Sequence, residues 1–540
     1  MSPVSIIKDG FTFDPATAPP DSKFKTPSWV RRAPITPGEP QTLNGLGEPW
    51  DWKRPVFRGI DLTKVDPRIK VKKYEIACSN IESKIAFIDV KILDSTGAQP
   101  YRSDVLIQGK HIVSVGTKLL EAELTGARIF EGRGRTLMSG MVDAHTHFTW
   151  TNAGSLDALA TMEAEEHTLF SARSARTFLD CGYTQCFGAA SAKQRIDVVI
   201  RNAINNGDIP GPRYLANGKE IAPRDGALIA GITAYADGPE ETAEVVKAHI
   251  EKTGVDTIKL SMSGEEITEH LRAEDTTFDD ASVAAAVEAA HALGARVCSH
   301  ARSDESVLQC LQYGVDMIYH ASFISDSTMD ALEAQKERVF VAPAINWLYG
   351  TLYEAGAFGY PQSKADSVGY KRELEIAIAG LKEMYKRGIR ILPGGDYGFA
   401  WTPHGTYRDP ELFVKLLGMA PMDVILASTA LGGELMGRPT EIGKVQPGFF
   451  ADVILVNGDP LEDMSVLSNH ENINVVVMNG RVHKFTPGDG QVWYEPTPNL
   501  MNEAARSKQM QEESKDAGIS KFIDLKIIGE DAGGKNFDAK

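Results

Sequence analysis

Between residues 136 and 430, short apolar pieces with the texture of β-strands alternate with stretches of helical periodicity. The strand-like pieces number eight: LMSGMVDAH, YTQCFGA, RYLAN, DTIKL, RVCSH, DMIYH, VFVAP and IRILPGGD. The intervening segments carry helix signals. In DDASVAAAVEAAHALG, Asp279 or Asp280 is placed to cap the first turn, and Gly294 stands just past the end. Eight strand–helix units in succession predict an α/β protein built as a (β/α)8 barrel, in which chemistry sits at the C-terminal ends of the strands.

The flanks have a different texture. Residues 81–135 and 431–488 hold short Val- and Ile-rich runs separated by Gly, Asp and Ser, such as SDVLIQGKHIVSVG and GKVQPGFFADVILVNGDP. They predict a small β-sandwich made from both sides of the barrel. Residues 1–80 read as an irregular arm. Its Trp29, Trp50 and Trp52 either pack on the main body or on another subunit, or belong to a disordered tail. Residues 489–540, with the polar run NEAARSKQMQEESKDAG, read as a surface extension. A formal net charge of −16 and the lack of a dense basic tract argue against nucleic acid as a partner. No apolar run is long enough for a membrane span, and the N-terminal stretch lacks a signal-peptide pattern. Five cysteines without a CxxC pair point to a reducing, cytoplasmic setting.

The sharpest local feature is Asp143-Ala144-His145-Thr146-His147, at the end of the first barrel strand. Alternate residues of a strand share a face, so His145 and His147 present two imidazoles to one ion. Twelve histidines in 540 residues would give roughly 0.27 such pairs by chance, so the motif alone carries little. Other metal-competent groups fall at equivalent places: Lys259 in the fourth strand, His300 ending the fifth, His320 ending the sixth and Asp396 following the eighth. Taken singly, each has an ordinary explanation: a satisfied polar histidine, a lysine reaching solvent, an aspartate in a Gly-Gly turn. Six of them at the tops of five strands predict a metal site of imidazole and carboxylate ligands, the set that zinc prefers.

This order of residues resembles the binuclear amidohydrolase superfamily, and within it the imidazolonepropionase-related group, which includes metal-dependent dipeptidases and an ochratoxin-hydrolysing amidase. The likeness runs from about residue 84 to 485. It rests on LMSGMVDAHTHF, ADGPEETAEVVKAHIEKTGVDTIKLSMSG, CSHARSDESVLQCLQYGVDMIYHASF, LPGGDYGFAWTPHG and IGKVQPGFFADVILVNGDP. The resemblance implies two zinc ions. His145, His147 and Asp396 would hold the first, and His300 and His320 the second. Lys259, carboxylated by CO2, would bridge them; an unmodified lysine is a cation and repels a metal. Asp396 would also be catalytic, moving a proton from the attacking water to the leaving nitrogen. Because members of the group are commonly oligomers, the resemblance further implies a homo-oligomer.

Two departures stand out. Where relatives carry Gly-Gly-His after the third strand, this chain reads APRDGAL. Where many have His-Ala-His after the fifth, it has His300-Ala301-Arg302. The planar fork of Arg302 suits a substrate carboxylate or ring, or else an ion pair with Asp304 or Glu305. Trp347 and Tyr349 follow the seventh strand, and Tyr397, Phe399, Trp401 and His404 the eighth; together they predict an aromatic rim for a bulky small-molecule substrate. Tyr235 is a further substrate-binding candidate by family position. The expected activity is metal-assisted hydrolysis of an amide or peptide-like C–N bond. The alternative is lactone or ester hydrolysis, deamination or a lyase step on a small aromatic compound at the same site. Deaminases of the superfamily usually lack the lysine and bind one ion. A non-catalytic protein that kept the barrel would be expected to have lost the ligands.

Overall fold

The computed structural model describes residue 19, residues 22–29, 73–76 and 84–486 except 117, 227 and 230, and the short strand at 493–494. All of these lie in the first of two units, residues 1–498. Trp50, Trp52, Cys78 and the run NEAARSKQMQEESKDAG fall outside the described residues.

The first described strands, β1 (Lys84–Leu93), β2 (Tyr101–Gln108), β3 (His111–Val115), β4 (Ala127–Glu131) and β5 (Thr136–Ser139), join four late ones: β15 (Val453–Val456), β16 (Ile473–Met478), β17 (Arg481–Phe485) and β18 (Trp493–Tyr494). They form one nine-stranded sheet in the order β18-β17-β16-β15-β5-β1-β2-β3, with β4 beside β1. In place of the expected sandwich, the two flanks contribute to a single hydrogen-bonded sheet. A register shift between Phe87 and Val90 bends β1, so that its first half pairs β4 and its second half β5. The inner face gathers its own apolar core around Phe87, Val105, Leu137, Val453 and Val475, and Phe130 of β4 lies 6.1 Å from Phe485 of β17.

The central strands are parallel throughout. They are β6 (Met141–Thr146), β7 (Tyr183–Gly188), β8 (Arg213–Leu215), β9 (Glu220–Ala222), β10 (Thr233–Tyr235), β11 (Thr257–Ser261), β12 (Arg296–Ala301), β13 (Met317–His320) and β14 (Phe340–Ala342). They make two sheets, β6-β7-β8 and β10-β9-β11-β12-β13-β14. Further backbone hydrogen bonds run between the sheets. Asp256 N–H donates to the Ala216 carbonyl after β8, Val341 exchanges bonds with Arg390 and Leu392, and Ala144 N–H donates to the Pro393 carbonyl. Helices such as Ala164–Asp180, Asp280–Ala292 and Tyr370–Arg387 follow the strands. Asp279 caps its helix through Ser282 N–H. The arrangement is α/β with the parallel strands largely buried, which explains their near-continuous apolar runs.

Three details differ from the sequence reading. The eighth piece, IRILPGGD, forms only an isolated parallel bridge from Ile391 to Val341 and no strand of its own. LMSGMVDAH is two strands: β5 belongs to the nine-stranded sheet and β6 to the parallel set, with Gly140 between them packed so tightly on Thr184 that a side chain has no room. The segment around APRDGAL supplies β9 and ends short of β10. Its three-residue strands are too brief to show a period in the sequence.

The described parts of the N-terminal segment pack on the body. Ser22 Oγ donates to Glu274, Phe24 meets Phe323 edge-on at 5.3 Å, and Trp29 is buried against Gly380. Among the described residues the four cysteines Cys181, Cys186, Cys298 and Cys310 are free and buried, and no helix is long and apolar enough to cross a membrane.

A buried ion pair ties the parallel set to the flanking sheet. Arg213 of β8 grips Asp452 at 2.6 and 3.2 Å, also reaches Asn479 Oδ1, and lies over the Phe450 ring at 4.4 Å. Removing one partner strands the other's charge in a water-free interior. We expect Asp452→Ala to lower stability by about 3–5 kcal/mol, seen as a clear fall in denaturant midpoint; an unchanged midpoint would show the pair to be dispensable.

A candidate metal centre at the strand ends

His145 sits one residue before the end of β6, and His147 just past it. Their rings lie 5.1 Å apart. The parallel register brings the others alongside: Ser261 of β11 pairs His300 of β12, His300 pairs Tyr319, and Ala301 pairs His320. His320 closes β13 with φ 69°, and Asp396 has φ 56°. Both are left-handed backbones that ordinary residues rarely adopt, a form of strain that clusters at functional sites. The rings of His320 lie 5.3 Å from His145 and 4.5 Å from His300. Asp396 Oδ1 lies 3.2 Å from His147 Nε2 and 3.8 Å from His145 Nε2. Lys259 Nζ is 3.6 Å from Glu220 and 4.3 Å from the Tyr319 ring centroid. All six sequence-predicted ligands line one pocket. His145, His320 and Asp396 each offer a ligand atom, and those atoms lie within 4.8 Å of one another.

The surroundings decide what these groups can do. His145 is stacked on Tyr319 at 3.8 Å, and His147 on Trp150 at 4.1 Å. Nδ1 of His147 is hydrogen-bonded to the Ala190 carbonyl, which fixes that ring's orientation. Asp143, just below, accepts from Thr146 Oγ1 and from His145 N–H, and burial pushes its carboxyl up to about 7. Burial holds His145, His300 and His320 well below the usual histidine range, aided for His300 and His320 by the charge of Arg302. Burial would raise Asp396, but His145, His147 and Lys259 outweigh it and hold the carboxyl well below its ordinary value. Neutral imidazoles around an ionised carboxylate are ready-made ligands. A test of fit lies in the unmade bonds: His145 Nδ1 and both nitrogens of His320 are buried with no hydrogen-bond partner. Buried polar atoms ordinarily find partners, and a divalent cation would satisfy one nitrogen of the His320 ring.

The substrate-binding expectations divide. Trp347 lines the pocket, as does Phe399, with the two rings 4.6 Å apart. The others are committed elsewhere. Arg302 is not a free fork at the mouth: it is fully buried and sits between Glu265 at 2.5 Å and Glu373 at 2.7 Å, not beside Asp304 or Glu305. Burial works against its charge, but the two carboxylates outweigh that and raise its pKa. Tyr397 donates to Asp409, and Tyr235 to the Leu228 carbonyl. Tyr349 lies under the Arg408 guanidinium. His404 is bonded to the Trp150 carbonyl and, chiefly through burial, titrates at about 4. Each is spent on holding the strand-end loops rather than facing the pocket.

Three pocket residues, Glu220, Glu265 and Trp150, and Tyr319 stacked behind His145 had no place in the sequence reading. Glu220 and Glu265 stand just beyond the third and fourth strand-like pieces, so a search of all strand ends for carboxylates would have found them. Tyr319 sits inside DMIYH next to His320, but the imidazole it stacks on is His145 of another strand.

Comparison with known proteins agrees with this geometry. The sequence profile of the amidohydrolase family matches residues 136–483. An ochratoxinase of Aspergillus niger is 25% identical over 463 residues, covering 78% of this chain and 91% of that protein. The crystal structure of a Xaa-Pro dipeptidase with methionine in its active site superposes with a TM-score of 0.66 at 25% identity, covering 74% of this chain and 99% of that one. The A. niger ochratoxinase crystal structure gives 0.65 at 22% identity, covering 77% and 99%.

Because burial keeps these imidazoles neutral, protons should compete poorly with a metal for them. For an exposed triad, affinity falls as pH drops through about 6.5; here we expect zinc affinity to stay nearly flat between about pH 6 and 8, measured by chelator competition. A steep loss above pH 6 would show that the rings are readily protonated.

Proposed function

This chain belongs to the amidohydrolase family, hydrolases acting on carbon–nitrogen bonds, and on that premise we propose that it is a metal-dependent amidase acting on a bulky small molecule. The observation that carries the reading is the convergence of six metal-competent side chains on one pocket, with orphaned imidazole nitrogens among them. We read the parallel strands, linked by the bonds through Ala216, Val341 and Pro393, as a (β/α)8 barrel flanked by a sandwich-like sheet. The domain limits at about residues 81, 136, 431 and 489 are part of that proposal.

His145, His147 and Asp396 are the proposed ligands of one zinc ion, and His300 and His320 of a second. Lys259, as a carbamate, would give both ions an anionic ligand where an ammonium would repel them. Such ions lower the pKa of a water towards neutrality and polarise a carbonyl. Asp396, held ionised by its neighbours, accepts the proton of the attacking water and returns it to the leaving nitrogen, so that an acid and an amine result. Trp150 and Tyr319 keep the imidazoles in place by stacking. Trp347 and Phe399 form an apolar wall for the acyl group and keep bulk water away. Lys259 also disfavours deamination, which in this superfamily usually proceeds without that lysine.

Metal analysis with a panel of N-acyl amino acids and their amides tests the reading. We expect about two equivalents of zinc, falling to about one in Lys259→Ala. We expect Asp396→Asn to lose about a hundred- to ten-thousandfold in kcat. Full activity after exhaustive chelation would refute metal dependence.

A further inference from the structure

The pocket's charge is lopsided, and this bears on what it takes. Apart from the proposed ligands, its polar wall is Glu220 and Glu265. Lys259 is the one lysine or arginine among the described lining residues; Glu220 faces it at 3.6 Å, and as the proposed carbamate it would add no positive charge. The guanidinium paired with Glu265 is that of Arg302, which has no solvent exposure and is also held by Glu373. Ser322 Oγ donates to Glu373 at 2.6 Å, and Tyr370 OH to Glu265 Oε1 at 2.7 Å. An incoming carboxylate could reach Arg302 only by leaving a buried glutamate unpaired, which is strongly unfavourable.

Glu265 accepts one hydrogen bond, from Tyr370 OH, and pairs with the Arg302 guanidinium, so its two oxygens keep lone pairs to spare. It therefore accepts a further N–H. Across the pocket lining, Trp347 is buried and its indole N–H has no partner. The remaining wall, including Leu156, Ile232, Ile267 and Phe399, is apolar. A donor, an acceptor and apolar walls match an uncharged amide flanked by hydrocarbon.

Building on the hydrolase reading above, we infer that the enzyme selects amides that are uncharged or cationic, and rejects those bearing a free carboxylate, with Glu265 as the specificity-determining residue. Glu265 accepts a hydrogen bond from the substrate N–H and repels an anion brought to the same wall. A dipeptide, which ends in a carboxylate, is the wrong charge for this pocket.

The test compares N-benzoylphenylalanine with its C-terminal amide, identical except for charge, by benzoate release from the zinc-loaded full chain. The amide should show at least about a tenfold higher kcat/KM. In Glu265→Gln the ratio should shrink about tenfold, and in Glu265→Asp it should persist; a ratio within one preparation is insensitive to how much protein folds. Equal or faster turnover of the acid, or a ratio indifferent to Glu265→Gln, overturns the inference while leaving the hydrolase reading intact. If zinc-loaded protein turns over neither compound, the hydrolase reading falls, and calorimetric binding of the same pair decides. Tighter binding of the amide sustains the inference; equal or tighter binding of the acid overturns it.

Discussion

The site depends on how closely the backbone after the last strand-like segment approaches β6. A Cβ on Gly394 would come within 2.7 Å of His145 N and 2.8 Å of His145 Cβ, and the Pro393 carbonyl accepts from Ala144 N–H. That contact brings Asp396 to the histidines, although more than 240 residues separate them in the chain. It also forces Asp396 into a left-handed backbone. Surrounding packing sustains such a conformation only where it is over-determined.

Electrostatics follow from the same burial. The pocket removes water from histidines, glutamates and a lysine at once. His145 answers by staying neutral, while the carboxyl of Asp396 is held well below its ordinary value by the side chains that face it. Arg302, fully enclosed, is tolerated because Glu265 and Glu373 surround it. Buried charges of this kind persist only as pairs. The same pairing that solves the burial of Arg302 leaves Glu265 on the pocket wall. A requirement of folding thereby sets the sign of the charge that substrate meets.

Much of this was legible in the residues. The alternation of apolar strands and helices announced an α/β chain, and polar residues at strand ends marked where chemistry would gather. Arg302 was misread because its neighbours in sequence, Asp304 and Glu305, are not its neighbours in space. Its partners Glu265 and Glu373 lie on other elements. Tyr235, Tyr349, Tyr397 and His404 could not be sorted in the sequence for a related reason: an aromatic or histidine after a strand looks the same whether it faces a ligand or holds a loop. Glu220 went unnoticed because β9 is three residues long.

By itself, then, the sequence determined what is local and periodic: the strands, the caps, the supply of imidazole and carboxylate at strand ends, and a likeness to the amidohydrolase superfamily. Only the tertiary structure decided which of those groups face one another and which are consumed by structural bonds. The physical reason is that hydrophobic periodicity is written along the chain, whereas charge pairing and hydrogen-bond satisfaction are settled across it, between residues that parallel strand register brings to the same level.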